Sequence, residues 1–187
     1  AGAVQPGDED DYFQSSLFTI ARRRILWLLI LVLANGLTTK VIAMNDQILK
    51  EIVLLAAFIP LLIGTGGNVG AQSSTVVIRG LSTQKLKSLG AIKAVVKEAI
   101  TGALLGVFMM LVVFPFAWWQ GEGPLIASAV GISLISITTL AATTGAILPL
   151  LFDRMKLDPA LMSSPFITTV TDIAGVFIYL STAKWLL

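Results

Sequence analysis

Long apolar stretches separated by short polar ones dominate this chain. Five of them, residues 25–43, 52–78, 99–118, 125–152 and 165–183, together contain only two charged side chains, Lys40 and Asp172. Each is long enough to cross a hydrocarbon layer of ~30 Å as a helix, which takes roughly 20 residues. Backbone N–H and C=O groups find no partners in lipid, so these segments are predicted to be helices that satisfy their own backbone, not open strands. The pattern predicts an all-α polytopic membrane protein with five transmembrane helices per chain, residues 22–187, preceded by a polar segment, residues 1–21. Lys40 lies close enough to the end of its run to snorkel to the surface.

Charge gives this arrangement a direction. Arg22, Arg23, Arg24, Arg79, Lys85, Lys87, Lys93, Lys97, Arg154 and Lys156 flank the runs on one side, against Lys40, Lys50 and Lys184 on the other. Basic flanks stay cytoplasmic, which predicts a cytoplasmic N-terminus and an outside C-terminus in the cell's inner (plasma) membrane. Trp118, Trp119 and Trp185 then fall at the outer interface and Trp27 at the inner one, where aromatic belts form. The net charge of +2 follows from these topology signals, and nothing in it points to nucleic-acid binding. An odd count of five helices cannot divide into two equal inverted halves, so a pore on a symmetry axis requires a second copy of the chain.

The first residues are polar and carry Asp8, Glu9, Asp10 and Asp11, which is not the pattern of a cleavable signal. A solvated linker end is the plain reading of this acidic run and a cation-sensing element the sharper one. Ala1-Gly2 reads as a cloning or cleavage remnant, and the chain is expected to be a fragment. Cysteine and histidine are both absent. Disulfides, thiolate chemistry and histidine-based catalysis are thereby excluded, and an intramembrane aspartyl protease would need a second deep acid beside Asp172.

Asp172 is the chemically exceptional position. A charge near the middle of a membrane costs at least ~2.5 kcal/mol by insertion scales, so it is kept where it meets water, a partner or an ion. Thr168, Asp172, Gly175 and Tyr179 follow one another at i, i+4, i+7 and i+11, and so share one face of a helix. If that helix begins near residues 164–165, Asp172 lies about 10 Å inside it. The alternative is a protonated Asp hydrogen-bonded between helices.

The second run is unusual in another way. Pro60 removes a backbone donor and Gly64, Gly66, Gly67 and Gly70 weaken helix continuity, so carbonyls here are expected to face a cavity. Asn68, Gln72, Ser73 and Ser74 add neutral oxygens at membrane depth. The competing reading is tight packing, since Gly66 and Gly70 make a G-x-x-x-G step, as Gly102 and Gly106 do in the third run, where packing is the preferred reading. Two acids stand at the cytoplasmic rim. Glu98 reads as either a flank charge or an ion ligand, and Asp158, before Pro159, as either a helix N-cap with Pro at N1 or an ion ligand. Asp153, beside Arg154, reads as solvated.

Several motifs then agree in order. Phe58-Ile-Pro, the run from Gly64 to Thr75, Arg79-Gly80-Leu81, Lys97-Glu98 before Gly102, Gly145 with Pro149, Asp158-Pro159-Ala160 and the run from Pro165 to Gly175 together resemble the membrane domain of the MgtE magnesium channel family. The likeness runs from about Arg22 to the C-terminus. It implies a homodimer of five-helix protomers with a Mg²⁺-selective pore on the dimer axis, lined by the second and fifth helices. It further implies that Asp172 is the pore carboxylate, that Glu98 and Asp158 belong to a cytoplasmic-side ion site, and that cytosolic regulatory domains accompany the pore in relatives.

Ligand chemistry points to the same class of ion by a separate route. Carboxylate, carbonyl, amide and hydroxyl oxygens suit Mg²⁺, Ca²⁺ or Mn²⁺, whereas softer metals lack their ligands here. Two copies of Asp172 across an axis would repel, and a divalent ion between them relieves the repulsion. Mg²⁺ gives up water reluctantly, so it is expected to be held largely through its waters, by Asp172, Asn68 and Thr168 with the backbone at Gly64 and Gly67. A cation-coupled secondary transporter is the alternative, because a Gly-broken helix beside a buried acid also builds a carrier site. A purely structural membrane module is disfavoured by the deep polar residues.

Overall fold

The structure is a computed structural model that describes residues 16–83, 90–119 and 123–187. These residues form six helices: α1 Leu17–Ala43, α2 Asp46–Glu51, α3 Leu54–Ser82, α4 Ala91–Ala117, α5 Pro124–Arg154 and α6 Pro159–Leu186. Among the described residues there is no strand. Four helices, α3 to α6, are long and apolar enough to cross a membrane, while α1 contributes the shorter apolar stretch Leu31–Ala43. The apolar runs thus reappear as helices, with most ends extending beyond the hydrophobic limits into polar flanks. The acidic run at residues 8–11, together with Lys85 and Lys87, lies outside the described residues, as do the side chains of Arg23, Arg24 and Trp27.

Small residues decide how these helices pack. A Cβ on Gly102 would stand 2.6 Å from Ala142 Cβ, and one on Gly106 would stand 3.1 Å from the Ile135 backbone N. That close approach lays α4 along α5, as the G-x-x-x-G spacing predicts. Gly145 meets Gly70 backbone to backbone, which brings α3 onto another side of α5. Helix α5 therefore sits at the centre, packed on α3, α4 and α6, and α1 packs on α6. Its core side chains Ala127, Val130, Leu134 and Ile137 are fully or almost fully buried, with Leu55 and Leu62 of α3 and Tyr179 and Leu180 of α6.

Helix directions follow from the contact pairs. Gly66 approaches Ile137 and Gly70 approaches Ala141, so α3 and α5 run parallel. Gly66 approaches Thr171 while Gly70 approaches Ile167, so α6 runs opposite to α3. Arg79, Lys93, Lys97, Arg154 and Lys156 accordingly gather at one end, and Trp118, Trp119, Trp185 and Lys184 at the other. The lateral surface between is apolar, most continuously along α4, where Leu104, Phe108, Leu111 and Val112 are exposed. Side chains of that kind are at home against lipid tails.

Three local features depart from the expectations. Helix α3 continues unbroken through Pro60 and its glycines. Pro60 lies near the helix start, where the Ala56 carbonyl is the one that loses its donor, and the close packing at Gly66 and Gly70 offsets the low helix propensity of glycine. Helix α6 begins at Pro159, directly after Asp158, a turn and a half earlier than the apolar run suggests. The short α2 occupies the link between the first two runs, where Lys50 pairs with Asp46 and Gln47 Nε2 donates to Glu51 Oε1 at 3.1 Å.

Candidate functional site

The seam between α3 and α6 has a closed side and an open edge. On the closed side a Cβ on Gly66 would lie 2.6 Å from Thr171 Cγ2 and 2.7 Å from Ile137 Cγ2. Only glycine fits there without displacing a branched side chain. Ser73, Ser74 and Val77 continue this buried side towards the basic end, so the two serines face packed helices instead of the open edge. On the other side of α3, Gly64, Asn68, Gln72 and Thr75 are exposed, at intervals of four, four and three residues that align them on one face.

Helix α6 brings its polar residues to the same edge. A Cβ on Gly67 would stand 4.0 Å from Thr168 Cγ2, and around Gly64 there is open space. The antiparallel register that pairs Gly66 with Thr171 and Gly67 with Thr168 sets Asp172 level with Gly64 and Thr65. Asp172 is half-buried and Thr168 exposed. The Thr168 hydroxyl donates to the Pro165 carbonyl at 3.0 Å, so what it can offer a ligand is oxygen lone pairs. Gly67 and Thr168 thus meet across the seam, with Gly64 and Asn68 on the exposed face of α3 and Asp172 level with Gly64 on α6.

The predicted stripe on α6 is open over only part of its length. Thr168 is exposed and Asp172 half-buried, whereas Gly175 is buried with its missing Cβ 3.7 Å from Ile137, and Tyr179 is fully buried. The core around α5 covers the second half of that face. Thr75, whose hydroxyl donates to the Ala71 carbonyl at 2.9 Å, belongs to the open edge and was not singled out from sequence. Its spacing of seven from Asn68 is the signal that identifies it.

The rim acids stand apart from this edge. Glu98 is half-buried in the early turns of α4, and Asp158 is exposed just before α6. Helices α4 and α6 are not among the principal packed pairs. Among the described residues no group of three or more acidic side chains could hold a metal ion. One chain therefore presents a single membrane-depth carboxylate with an amide, hydroxyls and helix backbone beside it. Such a set is all hard oxygen and falls short of a six-ligand shell by itself.

Residues 59–182 match the MgtE family model, described as a divalent cation transporter. The chain is 39% identical over 164 residues to the magnesium transporter MgtE of Thermus thermophilus, covering 88% of this chain and 36% of that protein. It is 33% identical over 176 residues to the protein of the same name from Bacillus subtilis, covering 94% and 39%. The chain spans well under half the length of these curated relatives. The matched region covers most of both helices of the seam and includes the acids Glu98, Asp158 and Asp172.

Proposed function

Because this chain belongs to the MgtE divalent cation transporter family, we propose that it forms the membrane pore of a Mg²⁺ transport protein. Two copies associate about a two-fold axis, with α1 as a fifth span in each, and their α3–α6 edges face each other across the axis. The observation that carries this reading is the run of exposed polar residues Asn68, Gln72, Thr75 and Thr168 with half-buried Asp172 on α3 and α6, in contrast to the continuously apolar exposed face of α4. Polar groups at membrane depth are costly against lipid. Against a second edge and a column of water they are satisfied.

The mechanism follows from charge and hydration. The two Asp172 carboxylates attract a divalent ion to the narrow part of the path, and the ion in turn relieves their repulsion. Asn68 and Thr168 hydrogen-bond to its waters, so Mg²⁺ passes without surrendering its shell. Gly64 and Gly67 contribute by lacking side chains, which lets a hydrated ion approach helix carbonyls that retain an unused lone pair. Few direct ligands mean that the ion also leaves readily, as conduction demands. Glu98 and Asp158, at the basic and cytoplasmic end, concentrate cations at the inner mouth. The chain conducts an ion and has no catalytic step.

A carrier coupled to Na⁺ or H⁺ is the second reading, favoured by the half-burial of Asp172 at a helix seam. Flux into liposomes separates the two. With a Mg²⁺ gradient alone, the pore reading predicts sustained Mg²⁺ entry that is unchanged when Na⁺ is removed and the proton gradient collapsed. Loss of entry under those conditions would establish the carrier instead.

A further inference from the structure

Among the described residues three buried side-chain oxygens have no hydrogen-bond partner: Thr38 Oγ1, Ser133 Oγ and Tyr179 Oη. Ser133 and Tyr179 are fully buried, and they come from facing helices. Gly175 of α6 lies against Ile137 of α5, at 3.7 Å from its missing Cβ, in an antiparallel pair. One helical turn from that contact, towards the Trp end, is Ser133 on α5 and Tyr179 on α6. Residues 133 and 179 therefore occupy one level of the interior, on the sides of their helices that meet.

Ser133 behaves unlike the other hydroxyl residues around it. Ser136 donates to the Ile132 carbonyl at 3.1 Å, Thr138 to Leu134 at 2.8 Å and Thr139 to Ile135 at 2.7 Å. Each closes on its own helix, the usual solution for a hydroxyl in an apolar environment. Ser133 does not, and a tyrosine hydroxyl is too far from its own backbone to do so. Val130, Leu134, Val176 and Leu180, which flank the pair in sequence, are apolar and buried. An unpartnered hydroxyl in such surroundings carries its full desolvation penalty. Two such hydroxyls on residues that face each other are what a buried water, which makes two to four hydrogen bonds, satisfies at once.

We propose that α5 and α6 enclose a structural water that bridges Ser133 Oγ and Tyr179 Oη. The water is a polar tie between the central helix and the covered half of the helix that carries Asp172. It lies on the protein side of α6, away from the open edge, and does not depend on the proposed transport function.

A double-substitution cycle on the full chain tests this, read as thermal unfolding midpoints in detergent and accompanied by a high-resolution structure of the unsubstituted protein. Tyr179→Phe and Ser133→Ala both leave the packing nearly intact. Each single substitution is expected to lower the midpoint by about 2–4 °C, because it strands the remaining hydroxyl and the water. The double substitution should cost clearly less than the sum of the two. Ordered density within hydrogen-bonding distance of both oxygens completes the expected result. Midpoints that stay level or rise in either single variant, or costs that add, would show dry hydroxyls and overturn the proposal. So would a structure in which the two hydroxyls bond directly, or in which no water lies between them.

Discussion

Two glycines two positions apart on α3 do opposite things. Gly66 is closed in by the methyl groups of Thr171 and Ile137, while Gly64 has open space where a side chain would go. Thr and Ile are stiff at χ1 and yield little, so Gly66→Ala is expected to cost about 1–3 kcal/mol by overpacking, seen as a lower thermal midpoint. Gly64→Ala should leave the midpoint level or raise it, since alanine favours helix by about 0.8–1 kcal/mol. The same Gly64→Ala variant should slow Mg²⁺ flux, because a methyl group then stands in the proposed path. Unaltered flux in a well-folded Gly64→Ala protein would take this position off the path. The four-residue step from Gly66 to Gly70 already indicated packing in the sequence. Which glycines stayed open depended on the position of α6, and no local pattern records that.

At the scale of elements, the bundle depends on how closely α3 approaches α5. Gly145 and Gly70 meet through their backbones, and backbone cannot rotate away as a side chain can. Gly145→Ala is therefore expected to push the two helices apart, costing about 1–3 kcal/mol and lowering the thermal midpoint at least as much as Gly66→Ala. An unchanged midpoint would mean that the helices slide at little cost. The long helices were legible because lipid enforces length and apolarity together. Their ends were less so: α6 starts at Pro159 with Pro165 inside it, because hydropathy marks where a helix becomes apolar and the Asp158-Pro159 pair marks where it begins. Helix α2, with only six residues, is too short for periodicity to register. The weakened continuity expected from Pro60 and the glycines of α3 is absent for a related reason, since proline near a helix start disturbs one carbonyl and leaves the rest of the helix to form.

The whole molecule is where the proposal extends furthest beyond one chain. Glu98 and Asp158 were legible as rim acids, yet their helices α4 and α6 are not among the principal packed pairs, and Asp172 is alone among acids at its depth. In the proposed dimer these charges act together across the assembly. Cysteine is absent from the chain, so a single introduced thiol reports on the interface without background. Asn68→Cys is expected to give a covalent dimer with a short bis-maleimide in membranes, whereas Phe108→Cys, on the exposed apolar face of α4, should remain monomeric on a denaturing gel. The reverse outcome would place the α3–α6 edge against lipid and move the interface to α4. If the Asp172 carboxylate is what draws Mg²⁺ through the membrane, Mg²⁺ flux into liposomes must differ between the unsubstituted chain and Asp172→Asn, which keeps the volume and removes the charge. A fall in flux of at least tenfold, about 1.4 kcal/mol in the barrier, is the predicted result, and Asp172→Asn protein that conducts Mg²⁺ at the original rate and selectivity would contradict it.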